Sequence, residues 1–322
     1  MHTFRHRAAT RRKIALSSAI TAAMFDTTPI LDCNGRTLTL DRPRVMGIVN
    51  VTPDSFSDGG AHDTLEAALA HGLKLAEEGA DILDVGGEST RPGAADVSVE
   101  EELRRTIPVI ERLAKETSLP ISIDTSKPEV MRAAVQAGAG MINDVYALRR
   151  EGALDAAAGL GVPVVLMHMQ GEPRSMQDAP QYDDVVATVH RFLAERIFAA
   201  EMAGIAKKKI IVDPGFGFGK NTQHNLALLA QLERLAELGV PVLAGLSRKR
   251  TIGEIVGRSD PRERAAGSVA AHLIAAQRGA KLLRVHDVAA TVDALKVWDA
   301  IASQAMPRAK SAPSMPKWPD DE

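Results

Sequence analysis

Eight times along the chain a short β-branched run stops at a polar residue or a glycine and is followed by a stretch with helical periodicity. The runs are Val45–Asn50, Ala80–Val85, Pro120–Asp124, Gly140–Asn143, Pro163–His168, Lys209–Asp213, Pro241–Gly245 and Lys281–His286. Between them, apolar residues recur at helical spacing, as at Leu65, Ala68, Leu69, Leu73 and Ala76, with Asp63 or Thr64 placed to cap that helix. Ser98-Val-Glu-Glu101 reads as a capping box opening the next helix. Strands that are apolar almost throughout need cover on both faces, which points to a parallel sheet under helices. The predicted fold is α/β, a closed (β/α)8 TIM barrel, with an open doubly wound sheet as the alternative.

The remaining segments frame this core. From Pro29 to Asp41 a weak alternation turns at Asn34-Gly35 and predicts an N-terminal β-hairpin plugging one end of the sheet. Residues 1–28 carry Arg5, Arg7, Arg11, Arg12 and Lys13 with no acid before Asp26. They read as a disordered basic extension, although the pattern overlaps that of transit peptides. A Pro-rich tail over 305–322 reads as disordered too, leaving 29–304 as a single domain.

Composition narrows the function. A formal net charge of −2 over 322 residues gives no global attraction to nucleic acid or an anionic membrane, so any anion site must be built locally. No apolar run approaches the roughly 18 residues that span a bilayer. The one cysteine, Cys33, forms no internal disulfide and suits a reducing cytoplasm.

The chemistry gathers near the strand ends. In a barrel, Asn50, Asp84, Asp124, Asn143, His168, Asp213, Ser247 and His286 would ring the C-terminal mouth, where such folds place their sites. Arg91, Lys249 and Arg284 add cations from three separate segments, a distribution suited to a dense anion such as diphosphate. Facing them, Asp124, Asn143 and Asp213 are able to pair with the N–H and NH2 edge of a flat heterocycle. A general acid/base role for Asp124 and Asp213 stays open at this point. The loop Asp213-Pro-Gly-Phe-Gly-Phe-Gly-Lys220 matches no nucleotide-binding loop; its glycines would let backbone approach a ligand, with Phe216 or Phe218 packed on it. Asn50 offers one oxygen to a Mg²⁺ carried mostly by a diphosphate.

Read in order, NVTPDSFSDGG (Asn50–Gly60), DVGGESTRPG (Asp84–Gly93), IDTSKPEV (Ile123–Val130), IND (Ile142–Asp144), LMHMQG (Leu166–Gly171), DPGFGFGKN (Asp213–Asn221), SRK (Ser247–Lys249) and RVHD (Arg284–Asp287) resemble the motifs of the dihydropteroate synthase family. The resemblance implies a (β/α)8 transferase of folate biosynthesis, a sulfonamide target, commonly dimeric and usually using Mg²⁺. Such an enzyme joins 4-aminobenzoate to 6-hydroxymethyl-7,8-dihydropterin diphosphate and releases diphosphate. Carried across, Asn50 is the Mg²⁺ ligand, and Arg91, Arg284 and His286 hold the diphosphate, with Thr90 also touching the pterin diphosphate. Asp124, Asn143, Met167, Asp213 and Lys249 match the pterin pocket, while Phe56, Pro92, Phe218 and Ser247 match the aminobenzoate side. The loops Val51–Gly60 and Gly87–Val97 would then order over substrate. Two alternatives remain in view, another pterin-binding barrel such as a methyltetrahydrofolate methyltransferase and a non-catalytic relative. The first has no use for a diphosphate clamp, and no damaged motif supports the second.

Overall fold

The structure, a computed structural model, describes residues 28–52, 61–89, 96–171, 176 and 180–305. The basic N-terminal stretch and the Pro-rich tail lie outside the described residues.

Eight parallel strands close into a barrel, each hydrogen-bonded to the next in chain order and the last returning to the first. They are β3 (Arg44–Asn50), β4 (Ile82–Gly86), β5 (Ile121–Asp124), β6 (Met141–Asp144), β7 (Val164–Met167), β8 (Ile210–Asp213), β9 (Val242–Ala244) and β10 (Ala280–Val285). The preceding hairpin, β1 (Ile30–Cys33) and β2 (Arg36–Thr39), turns through Asn34 at φ 57° and Gly35 at φ 82°, the left-handed pair its tight turn requires.

Outside the barrel run α1 (Ala61–Glu77), α2 (Val99–Glu116), α3 (Pro128–Ala137), α4 (Ala153–Leu160), α5 (Val185–Met202), α6 (Thr222–Ala230), α7 (Glu233–Ala236), α8 (Arg250–Val256), α9 (Ala265–Gln277) and α10 (Val288–Ala305). Several starts differ from the sequence reading. Helix α1 begins at Ala61, so Asp63 and Thr64 fall inside its first turn rather than at its cap. Ser98 does cap α2 by accepting from the Glu101 amide, but the Glu101 carboxylate turns to Arg104 and Arg105. Helix α6 starts at Thr222, where Asn221 and His224 exchange the reciprocal bonds of a capping box written in unusual residues.

Strand alternation then divides the barrel's residues. Outward-facing Val45, Val49, Leu83, Val85, Ile121, Ile123, Val164, Leu166, Ile210, Val212, Leu283 and Val285 join the large core under the helices. Inward-facing Met46, Ile82, Met141, Val165, Ile211, Leu243 and Leu282 form a separate cluster with Leu31, Cys33, Leu38 and Leu40 of the hairpin segment. The hairpin therefore closes the N-terminal end of the barrel. Arg36 donates to the Leu119 and Ala114 carbonyls at 2.6 and 2.7 Å and holds it there. Burial pushes the Cys33 thiol up to about 12, so it behaves as a small apolar side chain.

Candidate active site

Two residues further along most of the strands, the same inward parity reaches the opposite end and the side chains become polar, Ile48 on β3 and Met167 on β7 staying apolar. Ile82 is followed on its face by Asp84 and Gly86, Ser122 by Asp124, Met141 by Asn143, Ile211 by Asp213, and Leu282 by Arg284. Register brings them level: Gly86 pairs with Asp124, and Asp124 with Asn143.

Arg284 is the centre of this mouth. Its Nε donates to Asp84 Oδ2 at 2.6 Å and its Nη2 to Asp124 Oδ2 at 2.6 Å, reaching from β10 past β3 to β4 and β5. Asp84 is fully buried and also accepts from Asn143 Nδ2 at 3.2 Å, so one carboxylate orients both a cation and an amide. Burial works against the Arg284 charge, but Asp84 and Asp124 outweigh it and keep the guanidinium protonated. Burial raises Asp124 to about 7, with Arg284 pulling the other way and Asp84 adding to the rise. Burial also raises Asp213, against Lys249, and lowers Lys249 to about 8, with Asp213 opposing.

Asp213 Oδ1 accepts from the Gly215 amide at 2.7 Å, which fixes the carboxylate. Its Oδ2 looks towards Gly245, where an added Cβ would stand 4.0 Å from it and 3.9 Å from Arg284 Cβ. Gly86 and Gly245 thus leave space between the acidic and basic groups that side chains would fill. Lys249 Nζ donates to the Phe216 carbonyl and sits 4.6 Å above the Phe218 ring. Ser247 Oγ accepts from the His286 amide at 3.1 Å and lies 2.9 Å from His286 Nδ1. Met167 joins Val145, Met169 and Met176 in an apolar wall, with Tyr146 and Phe218 packed against it.

The sequence reading needs correction at two points. His168 does not join the ring: it follows inward Met167, so parity turns it outward, edge-on to Phe192 of α5 at 4.9 Å. Burial lowers it to about 2, leaving a neutral ring. Phe216 is fully buried in the core, so Phe218 alone of the two borders the mouth. The expectations for Phe56, Thr90, Arg91 and Pro92 fall outside the described residues, as does most of both loops expected to order over substrate.

Sequence reasoning also passed over two fastenings. Arg248, held at φ 56°, pairs with Asp287 through two bonds of 3.1 and 2.6 Å and ties the Ser247–Lys249 turn to the end of β10. Lys127 donates to Glu88 and to buried Glu102, anchoring the backbone just beyond β4. A lysine before a proline at a helix start gave only a weak signal of burial.

Asn50 ends β3, half-buried and paired with Gly86. Among the described residues no three His, Cys, Asp or Glu side chains gather as a metal site. A single amide oxygen suits a Mg²⁺ that arrives on a ligand, which is how that hard, strongly hydrated ion is commonly held.

The profile of a family described as pterin binding enzyme matches residues 46–286, nearly the whole barrel. The dihydropteroate synthase of Escherichia coli (strain K12) is 55% identical over 273 residues, 85% of this chain and 96% of its own length. The chain belongs to the dihydropteroate synthase family. Among solved structures, that family's Xanthomonas albilineans member with 4-aminobenzoic acid is 75% identical, with a TM-score of 0.83 over 87% of this chain and 100% of that one. The same enzyme in complex with 7,8-dihydropteroate is 73% identical, with a TM-score of 0.80 at the same coverage.

Proposed function

We propose that this dihydropteroate synthase condenses 6-hydroxymethyl-7,8-dihydropterin diphosphate with 4-aminobenzoate at the mouth centred on Arg284. The observation that carries the reading is the pair of 2.6 Å bonds from Arg284 to Asp84 and Asp124, which place a fixed cation against the acidic wall. Asp124, Asn143 and Asp213 accept from and donate to the pterin edge, Lys249 meets its carbonyl side, and Met167 backs the ring. The carboxylates act as acceptors rather than as an acid/base pair, because Asp124 is tethered to Arg284 and Asp213 to the Gly215 amide.

The reaction is substitution at the pterin methylene. The aniline nitrogen, already nucleophilic near neutral pH, attacks the carbon as the C–O bond to diphosphate breaks, and the amine then loses a proton to solvent. Arg284, with Arg91 and His286, stabilises the negative charge that grows on the leaving diphosphate, where an oriented donor in a water-poor site is worth several kcal/mol. Thr90 also contacts the pterin diphosphate. Phe56, Pro92, Phe218 and Ser247 hold 4-aminobenzoate in line. Asn50 would supply one oxygen to Mg²⁺, whose charge eases departure of the diphosphate.

Two further readings go with this one. The protein works as a homodimer, with exposed Ile255 and Val256 on α8 and Ile274 on α9 as apolar surface for a second copy; sedimentation at micromolar concentration tests it. It works in the cytoplasm; no helix among the described residues is long and apolar enough to cross a membrane. For the activity itself, purified protein given both substrates and Mg²⁺ is expected to release diphosphate and 7,8-dihydropteroate in equal amounts. Diphosphate release without the pteroate, or neither product, contradicts the assignment.

A further inference from the structure

The loop after β8 contains a lysine that the condensation does not use. Lys220 is 2% exposed, and its Nζ meets uncharged acceptors. It donates to the carbonyls of Gly215 and Phe218, both at 2.9 Å, lies 2.9 Å from His168 Nδ1, and reaches the His168 carbonyl at 3.3 Å. A buried lysine ordinarily takes a carboxylate partner, since an ammonium without one carries a large desolvation cost. Here the loop's own oxygens fill that place. Burial pushes the Lys220 amine well below its ordinary pKa, with Asp213 opposing, and its N–H groups face the two carbonyls at 2.9 Å while His168 Nδ1 completes the set at 2.9 Å.

The loop is shaped to that amine. Gly215 and Gly219 have φ of +66° and +62°, and a Cβ at either would stand 1.9 Å from the His168 carbonyl or 2.4 Å from the Gln170 carbonyl. From outside, Tyr182 donates to the Gly219 carbonyl at 2.8 Å and Asn225 accepts from the Gly217 amide at 2.9 Å. Between these contacts the loop presents the Phe216 carbonyl to Lys249 and the Phe218 ring beneath its ammonium.

We propose that Lys220 is a positioning residue: its amino group is an internal hydrogen-bonding hub around which the Gly215–Gly219 loop is wound, and it thereby fixes Phe218 for the incoming aminobenzoate and Lys249 for the pterin beside it. The inference rests on the functional assignment of this side of the mouth to 4-aminobenzoate. Its mechanical part, that the loop needs an N–H donor at this point, stands on the contacts alone.

The test uses Lys220→Ala in the full chain. In choline chloride its kcat/KM with aminobenzoate as the varied substrate is expected to fall by up to about a hundredfold, the scale of a misplacement near one ångström. Ethylammonium chloride at equal ionic strength should restore most of the loss. Wild-type constants in choline, or a folded variant that ethylammonium leaves unimproved, would overturn the proposal. Should Lys220→Ala not fold, His168→Ala and His168→Asn decide: the first should raise the aminobenzoate KM, and the second, whose side-chain oxygen reaches the Nδ1 position, should not. Equal constants for the two would overturn it. If the wild-type enzyme makes no pteroate, the functional reading fails separately. Hydrogen exchange at the 215–219 amides then still reads the loop, with faster exchange in Lys220→Ala or His168→Ala supporting the proposal and wild-type protection refuting it.

Discussion

The two ends of the barrel are built from the same strands and the same inward parity, yet one is apolar and closed while the other is charged and open. At the closed end Met46, Ile82, Met141 and Leu282 meet Leu31 and Leu38 of the hairpin. Two residues along, Met46 gives way to Ile48, but the other three positions hold Asp84, Asn143 and Arg284, with Gly86 and Gly245 nearby at the same end. The difference teaches that stability and chemistry are separated along the strand axis rather than between strands. A substitution at one end should therefore leave the other end's property intact, and targeted variants can try to break that separation.

Arg284→Ala should have the largest effect. Loss of the central donor should cut kcat/KM by about 10²–10³-fold, measured in steady state. It also leaves Asp84 and Asp124 buried without their cation, and should lower unfolding free energy by roughly 3 kcal/mol. This is the one position where the two properties meet.

Leu31→Ala, at the closed end, removes a side chain that is 1% exposed. Unfolding in urea should show a loss of about 2–5 kcal/mol with the Michaelis constants of both substrates unchanged. A shifted pterin KM would show that the ends communicate.

Asp213→Asn keeps the shape of the site and removes a charge. Pterin binding by calorimetry should weaken by about 1.5–3 kcal/mol, with the melting temperature held. Gly245→Ala follows with a smaller effect: its Cβ meets only ordinary contacts at 3.9 and 4.0 Å, so the fold tolerates it. The methyl stands in the ligand's space, and pterin affinity should fall by about 1 kcal/mol.

The smallest effect is that of pH. Burial raises Asp124 to about 7, so its carboxylate ionises only as pH climbs through that value. Burial lowers Lys249 to about 8, so its ammonium is lost as pH climbs further. Pterin affinity should be best between these values and decline on both sides, while a flat titration from acid to alkaline pH would refute the paired roles.

Much of this was legible in the sequence because parallel strands announce themselves as apolar runs and their ends as polar residues. Asp124, Asn143 and Asp213 stand out that way, and Arg284 as a cation beside the last strand end. His168 was misplaced because counting from a run's end ignores which face the last residue occupies; parity with Val165 and Met167 turns it outward. Asp84 sits two places inside its strand, so it read as one of the ring and not as the group that orients Arg284 and Asn143 together. Helix α8 was missed because seven residues interrupted by Gly253 carry little periodicity. Lys220 read only as the end of a loop whose nucleotide-loop match Asn221 breaks, since nothing in a linear motif shows carbonyls folding back on an amine.

The most direct test of the proposed site is a crystal structure with a pterin diphosphate analogue and 4-aminobenzoate bound together. The expected result is the pterin edge within hydrogen-bond distance of Asp124, Asn143 and Asp213, with the phosphates on the Arg284 and His286 side. A pterin bound away from the Asp84–Arg284–Asp124 group, or bound there with its phosphates turned from Arg284, would contradict it.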